Sequence, residues 1–536
     1  MDRLADLRAS WWPRPGERLV PVVSAVLLAL SFPPLHPLVP PFVGLVPLAL
    51  WLHALGGDAE GRRAAVRGCL LFGTVYFGIL FYWILIALVW FTKLAILAFL
   101  GTLGILMMMS ALFGWTVHQA LNTLRVPLWV ALPVAWTALE WSRAHMPSTI
   151  AFPWLGLGSS LTGFPELIGF AEIIGSRGVT FWLALVNGLI AGLVLKLHGG
   201  TPWARHAVAV TAVMALPMGW SVWRARTLGT REVARVAVVQ PNIPEHIKLD
   251  TEAGLDSTFA SLDRLMPEID PGSVDLVVMP EATLRAYPEL RQYGAQTDRI
   301  QAYSREAGAP IVMGALGYEE GGPGGYTRFN SAFVMKPQGL TQYRYDKRYL
   351  VPFVERVPFV PPEWFSGLQY FGGFGVGQGW PLVEVDETAY GVLICYESTY
   401  PEGARNLRLE GADVLLNITN DAWYGREPLY ARTTALWQHP AHMVMRAIEN
   451  RVGVARAANT GISLFVDPVG RVYSPTRLFE ADVRIGAVYT TDVVTFYTRY
   501  GDLVGNGAAI AALLFVLASL HRSRRYRSLD PFTADV

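Results

Sequence analysis

The sequence predicts a multi-span α-helical membrane bundle, of about eight spans, carrying an α/β domain on its extracytoplasmic side. Three observations predict it. Of 536 residues, 52% are hydrophobic and only 16% are charged, whereas roughly a quarter of an ordinary soluble domain is charged. The charges are also unevenly spread, with 21 in residues 1–223 and 66 in residues 224–536. Finally, most Lys and Arg residues of the short loops fall on one side when eight spans are threaded. The net charge of +1 gives no global field that would recruit nucleic acid, and so apolar a chain is not disordered.

Apolar runs of bilayer length, roughly 20 residues each, lie near 19–32, 38–55, 68–91, 95–117, 126–141, 178–195, 206–223 and 503–520. The first, preceded by Arg3, Arg8, Arg14 and Arg18, also has the make-up of a signal peptide. Further apolar runs follow at once, so it reads as a retained span. Arg3 to Arg18, Arg62, Arg63, Arg67, Arg125, Lys196, Arg205 and Arg522 to Arg527 then share one side, which the positive-loop bias makes cytoplasmic. The other side receives Lys93, Arg143, Arg177 and the large polar region. The expected division is a bundle of about seven spans over 1–223, a catalytic-type domain over 224–500, a C-terminal span over 501–522 and a cytoplasmic tail over 523–536, with both termini cytoplasmic.

Gly73, Tyr76, Phe77, Gly78, Tyr82 and Trp83 suit close helix packing and interfacial anchoring. Glu140, at the end of the fifth span, and Glu172, in the loop before the sixth, are expected at the membrane interface rather than buried. No chain of intramembrane acids marks an ion pathway. Cys69 and Cys395 fall one in each part of the chain, poorly placed for a disulfide. His439 and His442 are spaced i, i+3 without a third ligand pattern, which fits a core or polar-network role better than a metal site.

Between 224 and 500, short β-branched runs alternate with amphipathic stretches. Strands are expected at Val236–Val239, Asp275–Met279, Ile311–Leu316, Ala332–Val334, Tyr390–Ile394, Val414–Ile418 and Ile462–Val466, and helices at 250–268, 296–307, 400–411 and 432–452. The alternation implies a layered α/β domain, in which chemistry gathers beyond strand ends. Three such places stand out. Glu281 follows an apolar strand and Pro280; by position alone it is a solvated loop acid or a working one. Lys347 sits in a charged cluster set among aromatic residues, a surface turn or a desolvated cation able to stabilise an oxyanion. Cys395 ends an apolar strand, an inert core thiol or a nucleophile. Jointly the three supply a base, an oxyanion partner and a nucleophile.

Pro280-Glu281, Asp346-Lys347 and Cys395-Tyr396-Glu397, in this order, resemble the nitrilase (carbon-nitrogen hydrolase) superfamily, as does Asn417-Ile-Thr-Asn-Asp-Ala-Trp423-Tyr-Gly425. With spans on both flanks, and with Val239-Gln-Pro-Asn-Ile243, Leu350-Val-Pro-Phe353, Trp437-Gln-His439 and Ala458-Asn-Thr-Gly-Ile-Ser463, the whole chain resembles the bacterial apolipoprotein N-acyltransferase family. The resemblance implies a nitrilase-like αββα sandwich. It also implies transfer of an acyl chain from the sn-1 position of a phospholipid, through a cysteine thioester, to the α-amine of a diacylglyceryl-cysteine apolipoprotein. It places the protein in the bacterial inner membrane with the catalytic domain on the periplasmic side.

On the same ground Glu281, Lys347 and Cys395 are the expected catalytic set, Glu355, Tyr396 and Glu397 support it, and Trp423, Tyr424, Trp364 and Phe365 contact substrate. No cofactor, metal or nucleic acid is expected; the partners are the two lipid substrates and the bilayer, and nothing in the sequence sets an oligomeric state. Leu249, Val354 and Val452 stand where the family often has Trp, Gly and Pro. The aromatic stretch from Val357 to Phe374, with Trp364, Phe365, Tyr370 and Phe371, either dips toward the membrane and admits acyl chains or packs on the sandwich. A membrane-tethered amidase of the same superfamily is the alternative enzyme. A transporter with an external binding domain would need paired mid-membrane polar residues, and the spans lack them.

Overall fold

In the computed structural model, residues 14–89, 95–147, 150–321, 325–356 and 373–529 are described. The bundle comprises α1 (Leu19–Ala29), α2 (Val46–Ala54), α3 (Ala59–Phe81), α4 (Trp83–Leu88), α5 (Ala95–Asn122), α6 (Leu128–Ala144), α7 (Ala171–His198) and α8 (Ala204–Thr227). Helix α14 (Leu503–Leu529) rejoins it from the far end of the chain. Among the described residues, five helices are long and apolar enough to cross a membrane: α3, α5, α7, α8 and Leu503–Arg522 of α14. Their outward residues, such as Leu97 and Met108 on α5, Leu216 on α8 and Leu513 on α14, are exposed and apolar. Without lipid around it, such a belt would face water at a cost of about 25 cal/mol per Å².

Helix α3 starts nine residues before the expected apolar run. Asp58 caps it by accepting a hydrogen bond from the Gly61 amide (2.8 Å). Arg67 then folds onto Glu17 and Glu60, 2.7 Å from each. These contacts satisfy polar residues that hydropathy alone places outside the helix. The Pro40–Val43 turn and α2 are separate pieces because Pro47 stands in the first turn of α2, where a missing N–H costs nothing. Helix α7 kinks at Gly175 (φ 69°), where a Cβ would lie 2.5 Å from the Tyr497 ring.

Glu140 and Glu172 are buried, contrary to expectation. Glu140 accepts from the Trp136 indole (2.9 Å), the Leu157 amide (2.8 Å) and the Thr180 hydroxyl (2.8 Å). Glu172 pairs with Arg224 and Arg451. Tertiary donors at span ends, invisible to a hydropathy window, satisfy both carboxylates.

The domain is two stacked six-stranded sheets. The first has the order β12-β1-β2-β3-β4-β5, with β1 Arg231–Gln240, β2 Leu276–Val278, β3 Ile311–Glu320, β4 Tyr326–Lys336, β5 Gly339–Asp346 and β12 Asp482–Thr490. The second has the order β11-β10-β9-β8-β7-β6, with β6 Leu382–Val385, β7 Thr388–Ile394, β8 Val414–Thr419, β9 Gly453–Ala458, β10 Leu464–Val466 and β11 Val472–Tyr473. Val236, Val278 and Val334 of one sheet meet Val392, Leu416 and Ala455 of the other in a single apolar layer. Outside the first sheet, α10 (Thr251–Leu265) and α11 (Gly294–Ala307) bury Leu262 and Ile300. A further short helix, α9 (Glu245–Lys248), precedes α10.

Outside the second sheet lie α12 (Pro401–Leu409) and α13 (Ala435–Asn450). The result is an αββα sandwich, and its fourth layer is also the floor of the bundle. Every residue of α13 but Trp437 is buried, and one continuous apolar core runs from Leu415 and Val454 through Met445 to Trp154 and Trp182. Tyr396 and Tyr400 both donate to the Ala151 carbonyl (3.1 and 3.3 Å), and Trp154 donates to Gln438 (3.0 Å). Bundle and domain are therefore packed together through buried, hydrogen-bonded contacts.

Candidate active site

Strand direction brings the site together. β2 and β3 are parallel, and two antiparallel steps through β4 return β5 to the same sense; β7, β8 and β9 are parallel in the other sheet. The carboxyl ends of β2, β5, β7 and β8 deliver Glu281, Lys347, Cys395 and Asn420, in the position where open α/β sheets hold ligands.

Lys347 is 1% exposed and Glu281 5% exposed, so neither is a surface residue. The Lys347 ammonium donates to Glu281 Oε1 (3.1 Å) and Glu355 Oε1 (3.0 Å). A single Asn330 amide nitrogen bridges the same two oxygens (2.7 and 2.8 Å). The Asn420 amide donates to Glu281 Oε2 (2.9 Å), and the Val351 amide to Glu355 Oε2 (2.8 Å). Two of the three ammonium hydrogens are thus committed, which leaves one for a developing oxyanion.

Cys395 is buried, with φ 53°, a left-handed conformation that costs a non-glycine residue roughly 1–2 kcal/mol. The surroundings impose it. Glu397 turns back to accept from the Ile394 amide (2.7 Å), the Arg348 amide (2.7 Å) and the Tyr345 hydroxyl (2.8 Å), binding the cysteine turn to the lysine loop. On the other side, His439 Nε2 donates to the Cys395 carbonyl (3.2 Å) while Nδ1 meets Asp421 (2.8 Å), which is held by Arg456 (2.8 Å) and Thr419 (3.0 Å).

Burial pushes the Cys395 thiol well above its ordinary pKa, and the Glu281 charge adds to this. For Glu281, burial also pushes upward, but the Lys347 ammonium and the Asn330 bond outweigh it, so the carboxyl lies below its ordinary value. Burial disfavours the Lys347 ammonium, yet Glu281 and Glu355 more than compensate and its pKa rises. The resting state is therefore thiol, carboxylate and ammonium. Such a set transfers the thiol proton as the nucleophile attacks rather than storing a thiolate.

These groups end a chamber between bundle and domain. One wall comes from the bundle, with Trp83, Ile84 and Leu88 of α4 and Thr102 of α5; the other comes from the domain, with Val351, Phe353, Tyr396, Trp423 and Tyr424. Apart from the reacting groups it is lined almost wholly by apolar and aromatic side chains, which suits a hydrocarbon chain.

Residues 235–496 match the family model described as carbon-nitrogen hydrolase, and residues 24–189 match the one described as apolipoprotein N-acyltransferase N-terminal domain. The chain is 32% identical to an apolipoprotein N-acyltransferase of Geobacter metallireducens over 94% of its length and 96% of the relative. The chain belongs to the apolipoprotein N-acyltransferase family. It is also similar to an apolipoprotein N-acyltransferase of Chlorobaculum tepidum (28% identity, 94% and 96% covered). Among solved structures it is similar to a carbon-nitrogen hydrolase superfamily protein from Xanthomonas campestris (20% identity, 48% of this chain and 90% of that one, TM-score 0.33).

As a member of the apolipoprotein N-acyltransferase family this is a membrane enzyme with a nitrilase-like domain. Of the residues singled out from sequence, Glu281, Lys347, Glu355, Cys395, Tyr396, Trp423 and Tyr424 border one chamber. Glu397 lies behind it. Trp364 and Phe365 lie outside the described residues, as do Tyr370 and Phe371. Sequence reasoning gives no role to Asn330 or Arg456, and it includes Asn420 and Asp421 only as part of the Asn417-to-Gly425 motif. Asn330 left a faint signal, an Asn-Ser pair inside the apolar strand β4.

Proposed function

We propose that this enzyme moves a fatty acyl chain from the sn-1 position of a membrane phospholipid to Cys395, and from there to the α-amine of a diacylglyceryl-cysteine apolipoprotein. The observation that carries the reading is the apolar chamber, walled on one side by α4 and Phe152 of the helical bundle, that ends on Glu281, Lys347 and Cys395. Glu281 takes the thiol proton as Cys395 Sγ attacks the ester carbonyl, and Lys347 stabilises the tetrahedral oxyanion. Collapse breaks the ester C–O bond, the departing glycerol oxygen takes the proton from Glu281, and a lysophospholipid leaves. The acceptor amine then attacks the thioester with Glu281 again as base, and the thiol re-forms.

Glu355, Tyr396 and Glu397 hold the Lys347 and Cys395 loops, and Trp423 and Tyr424 contact the chains. Residues 1–223 and 501–522 anchor a catalytic domain of 224–500 at the outer face of the inner membrane, with both termini and the tail 523–536 cytoplasmic. The charge bias of the short loops supports this orientation. Because both substrates are lipids, lateral diffusion suffices for them to meet the site.

Mass spectrometry of the purified full chain incubated with phospholipid tests the reading. The expected result is an acyl adduct on Cys395, absent from Glu281→Ala and released rapidly by a diacylglyceryl peptide. Release by water at an equal rate would favour the amidase, and an adduct elsewhere would overturn the site. Gly314 offers a second measurement: a Cβ there would lie 2.5 Å from the Ala282 amide nitrogen and 2.6 Å from Glu281 Cα. Both are backbone atoms and cannot swing away, so Gly314→Ala displaces Glu281. Thioester formation should slow about 10²-fold, with the unfolding temperature in detergent lowered far less than for a core truncation.

A further inference from the structure

The two half-reactions differ in their proton balance. In acylation the S–H proton passes through Glu281 to the departing oxygen, and Glu281 ends as it began. In transfer the α-amine, with an ordinary pKa of about 7.7–8.0, arrives at neutral pH mostly as an ammonium with three hydrogens. The amide keeps one, the sulfur recovers one, and the third is left on Glu281. It must leave before the next thiol can react. The chamber on the Cys395 side is walled by Trp83, Ile84, Leu88 and Phe152 and holds acyl chains, so it offers the proton no watery exit.

A second chamber also borders Glu281, and Glu245, Lys248, Arg285, Asn330 and Asn420 form the polar part of a lining that is otherwise largely apolar, with Leu249, Leu316 and Phe374. Asn420 ties the two carboxylates together: its backbone amide donates to Glu281 Oε2 (2.9 Å) and its side-chain amide to Glu245 Oε2 (2.9 Å). Lys248 completes the wall by donating to the Glu281 carbonyl (3.1 Å). Glu245 is itself buried but stands between the exposed Pro244 and His246, at the rim of the domain. Where Glu245, Lys248, Arg285 and Asn420 converge, the lining supplies the two to four hydrogen-bonding partners that a buried water needs.

We propose that Glu245 receives the proton from Glu281 through water in this second chamber and passes it to solvent during the amine-transfer half-reaction. The proposal rests on the acyl-transfer reading above. Groups facing Glu245 are Lys248 and Arg285, which favour its charged form, and Glu281, which opposes it. Burial outweighs them and raises the Glu245 carboxyl above its ordinary value, whereas Glu281 is held below its own. A proton on Glu281 therefore moves downhill to Glu245. Lys248, pushed down to about 8 chiefly by burial, keeps the chamber's charge adjustable near neutrality.

Glu245→Gln keeps the shape and the bond from Asn420 but cannot carry the proton. Rapid-quench mass spectrometry on the full chain in micelles, with phospholipid and a diacylglyceryl peptide, reads each half-reaction separately. Expected are thioester formation within about 2-fold of the parent enzyme and transfer to peptide slowed about 10-fold at pH 7. The defect should shrink toward pH 9, where the amine arrives neutral and no proton needs to leave. Formate should partly restore transfer in Glu245→Ala. Equal slowing of both steps, slowing independent of pH, or no slowing would overturn the relay while leaving the acyl-enzyme intact. Absence of any Cys395 adduct in the parent enzyme would instead overturn the acyl-transfer reading, and the relay with it.

Discussion

Glu281→Gln is expected to slow formation of the Cys395 thioester by about 10³-fold, within the roughly 10²–10⁴-fold range of a positioned general base. The substitution keeps volume, and Lys347 retains its contact to Glu355, so the loops should hold their places. What goes is, among the described residues, the only carboxylate bonded both to Lys347 and, through the Asn420 amide, to the loop after β8. The pH profile separates loss of a base from loss of shape. In the parent enzyme the Glu281 carboxyl lies below its ordinary value despite burial, because of Lys347; the base stays ionised through the weakly acid range and the acylation rate should fall only below about pH 4. In the Gln variant only spontaneously ionised thiol reacts. Burial holds the Cys395 thiol up, so the residual rate should climb with pH and remain far below the parent's even at pH 9. Rapid-quench mass spectrometry between pH 4 and 9 measures both. A variant retaining a tenth of the parent rate, or one with the parent's pH profile, would remove Glu281 from the role of base.

Catalytic groups at strand ends are legible in a sequence because a buried strand announces itself. The apolar runs of β2 and β7 stop abruptly at Pro280 and Cys395, and a polar residue at such a stop has few bland explanations. Each of the seven expected strands overlaps an observed one for the same reason, although β1, β3 and β4 run four to six residues beyond their expected limits. The remaining five, β5, β6, β9, β11 and β12, were harder to see. β5 and β12 carry Arg, Tyr and Asp on half-exposed faces, β6 and β11 are short, and β9 reads Gly-Val-Ala-Arg-Ala-Ala, with a buried Arg where an apolar residue would be expected. The polar network was less legible still. Asp421, His439 and Arg456 come from a turn, a helix and a strand, and only the fold makes them neighbours. The pairing of two spacings, 3.6 for α13 and 2 for β9, with a turn residue is a property of three dimensions. Glu140 and Glu172 failed for a related reason: hydropathy counts a carboxylate as a penalty and has no view of the donors that meet it.

That network sets the second large effect. Asp421→Asn is expected to destabilise the domain by roughly 3–5 kcal/mol, the cost of leaving one member of a buried ion pair uncompensated. Asp421, His439 and Arg456 are all 0% exposed, and Arg456 is 2.8 Å from Asp421, so no water can replace the lost charge. Burial alone would raise the Asp421 carboxyl; Arg456 and His439 overcome it and hold it well below the ordinary value. A folded-state pKa below the unfolded one contributes stability that is fully present above about pH 4 and is lost as pH falls toward the folded value. The gap between parent and variant should therefore be widest near neutrality, about 10 °C in unfolding midpoint for a domain of this size, and should narrow below pH 4. Activity should respond beyond stability. The His439 ring joins Asp421 to the Cys395 carbonyl and helps to hold φ at 53°; once the ring loses its anchor the turn can relax and the sulfur moves off line. At a temperature where the variant remains folded, thioester formation should still be slowed by about 10-fold or more. Thermal unfolding in detergent micelles from pH 3 to 7, with acyl-enzyme formation measured at low temperature, tests both parts. A gap that widens as pH falls would place the stabilising charge elsewhere, and full activity in a folded variant would show that the cysteine turn holds its shape without His439.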